Sequence, residues 1–258
     1  MYSTLTLTLD SSLATITLNR PEKRNAICQA LIDDLLAAFA EVERSPAHVL
    51  ILAAEGKAFC AGLDLDELKS LAAQTLEENR AHSRRIAKLI RTLYDFPKPT
   101  IAAVHGAAIA GGTALATLCD FTIASTAASF GYTEVRIGFV PAIVSAFLIH
   151  QVGEKQARDL LLTGRIITAE EAHRIGLVNQ IVEPANLGDA VRALAAQLLE
   201  NSPASLRATK ALLRSYTAES LERDIVSGME SNAFLRKSAD FEEGIRSFLE
   251  RRKPNWSE

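Results

Sequence analysis

The order of apolar patterns predicts an α/β fold that ends in a helical region. Two observations carry this. Short strand-like segments alternate with helix-like ones along the N-terminal part of the chain, an order that favours a parallel sheet with right-handed crossovers. From about residue 186 the pattern becomes helical throughout, in four successive segments.

Each element has its own reason. Leu5, Leu7 and Leu9 alternate with threonines, Asp10-Ser11-Ser12 intervenes, and Ala14, Ile16 and Leu18 resume the alternation. Period two on both sides of a polar turn predicts a β-hairpin. A charged loop covers 21–25. Leu31, Leu35, Phe39 and Val42 then recur at helical spacing, which predicts an amphipathic helix ending near Ser45-Pro46. Val49 to Leu52 is a continuous apolar strand closed by Glu55-Gly56-Lys57. After a polar segment, a helix is expected over 80–94, stopped by Phe96-Pro97-Lys98-Pro99, and buried strands over 100–104 and 121–124. The C-terminal helices are expected at 186–200, 203–216, 218–237 and 239–252, with Pro or Ser at the joins. In the last of them Phe241, Ile245, Phe248 and Leu249 form an apolar stripe that has to pack on the core or on another subunit. The expected division is a core over 1–200 and a helical region over 201–258.

Composition excludes several classes of function. The 258 residues carry 28 basic and 31 acidic side chains, a net charge of −3, which leaves no electrostatic footprint for nucleic acid or an anionic membrane. With aromatics at 6%, a base-stacking platform is also disfavoured. The stretch 99–119 has no Asp, Glu, Lys or Arg and is long enough to span a bilayer, but it contains His105, Gly106, Gly111, Gly112 and three threonines. It reads as a strand, a glycine turn and a helix start. Cys28, Cys60 and Cys119 are an odd, widely spaced set that fits reduced thiols, and the N-terminus shows neither a basic nor an apolar leader region. A soluble, cytoplasmic protein without membrane or nucleic-acid partners is the expectation.

Familiar catalytic signatures are missing. No Gly-x-Ser-x-Gly, P-loop, His-Glu-x-x-His or dinucleotide fingerprint occurs. His48, His82, His105, His150 and His173 lack ligand spacing, so no metal is expected and each reads as a surface or satisfied structural residue. Two segments stand out instead: 56–65, after the first apolar strand, and 105–113, after the next. Both put small residues where a strand ends and a helix begins. Tight strand–helix packing is one explanation. The other is a pair of turns whose free N–H groups face one pocket and hold an oxyanion.

The motifs Asn19-Arg-Pro-Glu-Lys-Arg-Asn-Ala-Ile27, Ala58-Phe-Cys-Ala-Gly-Leu-Asp-Leu65, Ala108-Ile-Ala-Gly-Gly112 with Cys119-Asp120, and Phe130-Gly-Tyr-Thr-Glu-Val-Arg-Ile-Gly138 resemble the enoyl-CoA hydratase/isomerase (crotonase) superfamily in order and spacing. The tail from Phe241 to Lys253 also resembles that family's last helix, so the likeness covers essentially the whole chain. It implies a crotonase-like spiral of ββα units with a C-terminal helical trimerisation region, and a homotrimer or dimer of trimers. It also implies an acyl-CoA thioester substrate and no separate cofactor, coenzyme A being part of the substrate. The family's oxyanion amides fall by this likeness on Ala61 and Gly111, and its substrate contacts on Ala58, Gly62, Leu63, Asp64, Gly112, Thr133 and Gly138. Asp64 also reads as a turn or helix-start residue.

The coenzyme end maps onto Lys23, Arg24, Ala26 and Arg251. A solvated loop accounts equally for Lys23-Arg24, and cations at a helix C-terminus for Arg251-Arg252-Lys253.

Hydratases of this family hold a water between two glutamates. The second maps onto Glu134, whereas the position of the first is Ala114, which can neither take nor give a proton. Glu134 is therefore the expected acid/base, its pKa raised in an apolar pocket, with Tyr132, Thr113 and Asp64 as possible helpers. Where the family often has Pro-Gly-x-Gly-Gly, this chain has Pro141-Ala-Ile-Val-Ser-Ala146, a thicker wall for the acyl group. Hydration of a 2-enoyl-CoA is the leading reading. An enoyl-CoA delta-isomerase using Glu134 alone and a CoA-ester binding subunit without turnover are the alternatives.

Overall fold

The computed structural model describes residues 1–256. Strands β1 (Leu5–Asp10) and β2 (Leu13–Leu18) form the antiparallel hairpin, Leu5 opposite Leu18. Ala14, Ile16 and Leu18 are fully buried, as the period-two pattern requires. Helix α1 (Gln29–Arg44) buries Leu31, Leu35, Phe39 and Val42. Its end is closed by Lys98, whose Nζ donates to the carbonyls of Val42 at 2.6 Å and Ser45 at 2.9 Å.

The chain then makes two strands and a helical segment three times over. β3 (Val49–Ala54) and β4 (Ala58–Cys60) lead to α2 (Leu65–Ala73) and α3 (Leu76–Tyr94). β5 (Thr100–Val104) and β6 (Ala107–Ile109) lead to α4 (Gly111–Thr117). β7 (Phe121–Ser125) and β8 (Ser129–Gly131) lead to α5 (Ala142–Thr163). Of each strand pair one member joins each of two sheets, which turns the chain into a spiral. β9 (Ile166–Thr168), α6 (Ala169–Arg174) and β10 (Gln180–Val182) complete them. The larger sheet runs β1-β2-β3-β5-β7-β10 and the smaller β4-β6-β8-β9. Pairings are parallel except for the hairpin and β8–β9.

Four helices end the chain: α7 (Leu187–Leu199), α8 (Pro203–Ser215), α9 (Ala218–Leu235) and α10 (Ala239–Leu249). Both faces of the large sheet are covered, which is why its strands read as continuous apolar runs. Val49, Ile51, Ile101 and Ile123 pack against α7, while Leu50 and Leu52 face the main core. α9 lies along α3 and α5 and adds Leu221 and Ile225 to that core, so the region beyond residue 200 is continuous with the spiral.

Several elements differ from expectation. The polar segment after Cys60 contains α2, which buries only Leu68 and Leu71. α3 begins four residues before Arg80 because Thr75 and Glu78 form a capping box. The stripe of α10 divides: Phe241 and Ile245 are buried, but Phe248 stays 51% exposed. The uncharged stretch 99–119, by contrast, forms strand and helix start as expected, as β5, β6 and α4, and among the described residues no helix is long and apolar enough to cross a membrane.

Candidate active site

A cleft of about 980 Å³ opens between the turns that follow β4, β6 and β8 and the helices α3, α9 and α10. The first of these turns is organised by Asn25, a buried residue at φ 54°. Its Nδ2 donates to the carbonyls of Glu55 at 2.8 Å and Ala58 at 2.9 Å, and its Oδ1 accepts from the Arg20 amide at 2.8 Å. The strand at Ile27 is thereby laid beside residues 62–64: the Ile27 amide donates to Gly62 O at 2.7 Å and the Asp64 amide to Ile27 O at 2.8 Å.

This arrangement corrects one sequence expectation. The amide of Ala61 donates to Arg24 O at 3.0 Å and is not free for an oxyanion. Between the two bonds to Ile27, the Leu63 amide has no acceptor among the described residues, and Leu63 lines the cleft. Gly62, at φ 86°, turns the backbone between them, a conformation that favours glycine.

The second turn brings in Gly111. As the first residue of α4 its N–H has no intrahelical acceptor, and it too lines the cleft. Ala110 before it sits at φ 51°, ψ −120°, a strained conformation for alanine, held by its amide donating to Gly131 O at 2.7 Å. The Thr113 hydroxyl braces the same corner between Ala108 O at 2.7 Å and Gly131 O at 3.0 Å, and accepts from the Gly131 amide at 3.2 Å. The two turns touch. A Cβ on Gly62 would lie 2.9 Å from Ile109 O and 3.1 Å from Ala110 Cβ. A Cβ on Gly112 would lie 2.2 Å from Cys60 O, so α4 can start this close to β4 only with glycine there. Tight packing, one of the two explanations offered by the sequence, is present where the two turns meet.

Glu134 opens a short 3₁₀ turn, Glu134–Ile137, just after β8. Its side chain is buried and lines the cleft, and Oε2 has no hydrogen-bond partner among the described residues. Burial pushes its pKa up to about 7. Ala114 is 1% exposed and belongs to the main core rather than the cleft wall. The other acidic residues of the lining are Glu22 and Asp64. Asp64 is committed: it caps α2 by accepting from the Asp66 amide at 3.0 Å and pairs with Arg20 at 3.1 Å. Tyr132 Oη lies 3.4 Å from Thr117 Oγ1 in the core, and neither Tyr132 nor Thr113 lines the cleft. The side chains offered as helpers of Glu134 are thus all engaged elsewhere.

The enoyl-CoA hydratase/isomerase family model matches residues 8–258. The chain belongs to this family.

Members of the enoyl-CoA hydratase/isomerase family share the whole architecture with it. A Thermus thermophilus relative, provisionally named an enoyl-CoA hydratase, is 43% identical over 245 residues, 95% of this chain and 97% of its own length. The crotonyl-CoA hydratase of Syntrophomonas wolfei is 35% identical over 262 residues, covering 99% and 98%. A crystal structure of a Mycobacterium avium enoyl-CoA hydratase superposes with a TM-score of 0.88 at 32% identity over the full length of both chains. The protein is therefore an enzyme of the enoyl-CoA hydratase/isomerase family with the crotonase fold.

The remaining residues singled out in the sequence fall into two groups. Lys23, Arg24, Ala26, Thr133 and Arg251 line the cleft with Leu63 and Asp64. Lys23 Nζ reaches Asp66 at 3.3 Å across an exposed surface, while among the described residues Arg24 and Arg251 make no salt bridge. Ala58, Gly62, Gly112 and Gly138 lie outside the lining. Gly138, at φ 66°, is where a Cβ would meet Asp240 O at 2.3 Å; it lets the Glu134 turn press on the start of α10.

Sequence reasoning missed the far wall. Asn79 and His82 of α3 meet Arg236, which follows α9, and Ser83 of α3 donates to Asn232 Oδ1 of α9 at 3.3 Å; His82, Asn232 and Arg236 line the cleft. No local pattern marks them. Arg236 follows a helix and reads as a solvent-facing cation until α3 is seen packed against it.

Proposed function

We propose that the enzyme adds water reversibly across the double bond of a 2-enoyl-CoA thioester, with Glu134 as its one proton carrier. The observation that carries this reading is a buried carboxylate, one oxygen of which has no hydrogen-bond partner among the described residues, in the cleft that Leu63 and Gly111 also line. As water oxygen bonds to the β-carbon, its proton passes to the Glu134 carboxylate and the double-bond electrons move to the thioester oxygen. The two amides hold the charge that develops there. Glu134 then returns the proton to the α-carbon, the thioester carbonyl re-forms, and the enzyme ends in the protonation state in which it began. In other enzymes one oxyanion donor contributes about 2.7–4 kcal/mol to the transition state. No cofactor is called on.

The coenzyme would enter past Lys23, Arg24, Ala26 and Arg251. Self-association as a trimer or a dimer of trimers is proposed through the C-terminal helices, where Leu212, Leu213, Tyr216 and Phe234 are exposed.

Ala114 favours a second reading. A lone glutamate suffices to take a proton from the α-carbon and return it at the γ-carbon, the reaction of an enoyl-CoA delta-isomerase. Incubation with crotonyl-CoA and with a 3-enoyl-CoA, resolved by mass, separates the two. A product heavier by one water establishes hydration. Isobaric conversion of the 3-enoyl ester without hydration replaces it with isomerisation, and no change in either ester removes both for these acyl groups.

A further inference from the structure

The cleft contains a charge that the proposed chemistry does not use. Arg236 is 3% exposed and lines the cavity, yet among the described residues no carboxylate pairs with it. Its polar contacts are all neutral: Nη1 donates toward Asn79 O at 3.4 Å, Asn79 Oδ1 at 3.2 Å and His82 Nδ1 at 3.1 Å. Nε is buried without a partner among the described residues. The guanidinium lies over the Phe139 ring, 5.0 Å from its centroid.

The neighbouring groups do not supply the missing anion. On α3, Glu77 pairs with Arg80 and Arg84, and Glu78 is held by Thr75. On α9, Glu230 pairs with Arg80. Burial first, then the charges of Arg236 and of Arg85 on the α3 side, hold His82 down to about 4, so that the imidazole is neutral. With Nδ1 accepting from Arg236, the ring proton sits on Nε2, a further donor. Burial lowers the pKa of Arg236 to about 10, which leaves it cationic at neutral pH. A buried cation is retained where something compensates its lost hydration, and a guanidinium offers the planar fork that fits a carboxylate.

Arg236 also stands close to the reacting end. Phe139, on which it stacks, donates its amide to Glu134 O at 3.0 Å, and Asn232 Nδ2 reaches the next carbonyl, Val140 O, at 3.3 Å. The other cations of the lining, Lys23, Arg24, Arg136, Arg251 and Arg252, belong to other elements, and Arg252 is paired with Glu243 and Glu250. The α3/α9 wall is therefore left to the acyl group. Resting on the assignment of this cleft to an acyl-CoA ester, we infer that Arg236 recognises a carboxylate carried by the acyl chain, making the preferred substrate a CoA monoester of a dicarboxylic acid.

The test is calorimetric binding of saturated, unreactive esters in matched pairs: succinyl- against butyryl-CoA, glutaryl- against valeryl-CoA and adipyl- against hexanoyl-CoA. Each pair shares its coenzyme, so phosphate recognition cancels, and no turnover is needed. At least one dicarboxylic ester is expected to bind about tenfold or more tighter than its partner, a charge-assisted contact being among the stronger hydrogen bonds. Arg236→Gln is expected to abolish that preference without weakening the neutral ester, and Arg236→Lys to keep part of it. If every dicarboxylic ester of the wild-type protein binds no better than its neutral partner, the inference fails, whether or not either variant folds. Equal weakening of both series in Arg236→Gln would instead make the residue structural and overturn the inference too. Should no CoA ester bind at all, the cleft assignment itself falls.

Discussion

Replacing Glu134 by Gln removes the charge while keeping the shape, and the structure fixes how the effect varies with pH. In the unfolded chain a glutamate ionises near 4.5; buried in the cleft, Glu134 ionises near 7. The folded state therefore binds the proton more tightly, and wild-type stability is lost as pH rises from the lower value through the higher. At about 1.36 kcal/mol for each tenfold change in proton affinity, the full cost above both values is about 3 kcal/mol. About 2.5 kcal/mol of it develops between roughly pH 5 and pH 8. The Gln variant carries no such term, although its amide adds a constant offset by sitting without partners. Urea unfolding of both proteins at the two pH values is the assay. The stability of Glu134→Gln relative to wild type is expected to rise by about that amount with pH. Turnover of a 2-enoyl-CoA is expected to fall by about 10²–10⁴-fold. A stability difference that is flat with pH would show that Glu134 is hydrated in the native protein and refute the argument that burial tunes it.

Two further outcomes follow from the same geometry. Since the proposed cycle starts with Glu134 ionised, kcat/KM should fall tenfold per unit below about pH 7 and level off above it, read from initial rates across that range. Gly112→Ala places a Cβ 2.2 Å from Cys60 O, a contact that only a backbone shift of α4 relieves. Its expected signature is a stability loss of about 1–3 kcal/mol in denaturant melts, with a larger fall in kcat than in CoA-ester affinity, because Gly111 moves with the helix.

Much of the fold was legible because local pattern and tertiary burial agree. The hairpin follows from alternation at Leu5–Leu9 and Ala14–Leu18, and α1 from the spacing of Leu31, Leu35, Phe39 and Val42. The helix α5 was not anticipated: its apolar residues surround it, and Gly153 at φ 76° interrupts it. Strands β4, β6 and β8 have three residues each, too few for any periodicity. In the site, the small-residue turns and Glu134 stood out by their motif, but the register of the first amide did not. Whether Ala61 or Leu63 points its N–H into the cleft depends on the backbone reversal at Gly62 and on the strand at Ile27, neither of which spacing alone encodes.

Glu134 and Arg236, two of the perturbed groups of the cleft, bear on each other through what is missing between them. Were Arg236 the counter-ion of Glu134, it would hold the carboxylate down; instead burial raises Glu134, and Arg236 is lowered by burial alone. On the proposed reading they are separate stations, one for the proton and one for an anion. That separation lets Glu134 remain a base near neutrality beside a cation that would otherwise disable it. It also means that an acyl carboxylate at Arg236 would neutralise the cation without being drawn to the reacting carbon. The spacing between the stations then selects the acyl chain, so the dicarboxylic ester that gains most over its neutral partner should also be the one whose enoyl form turns over fastest. A best binder of one length and a best substrate of another would place the bound carboxylate somewhere other than Arg236.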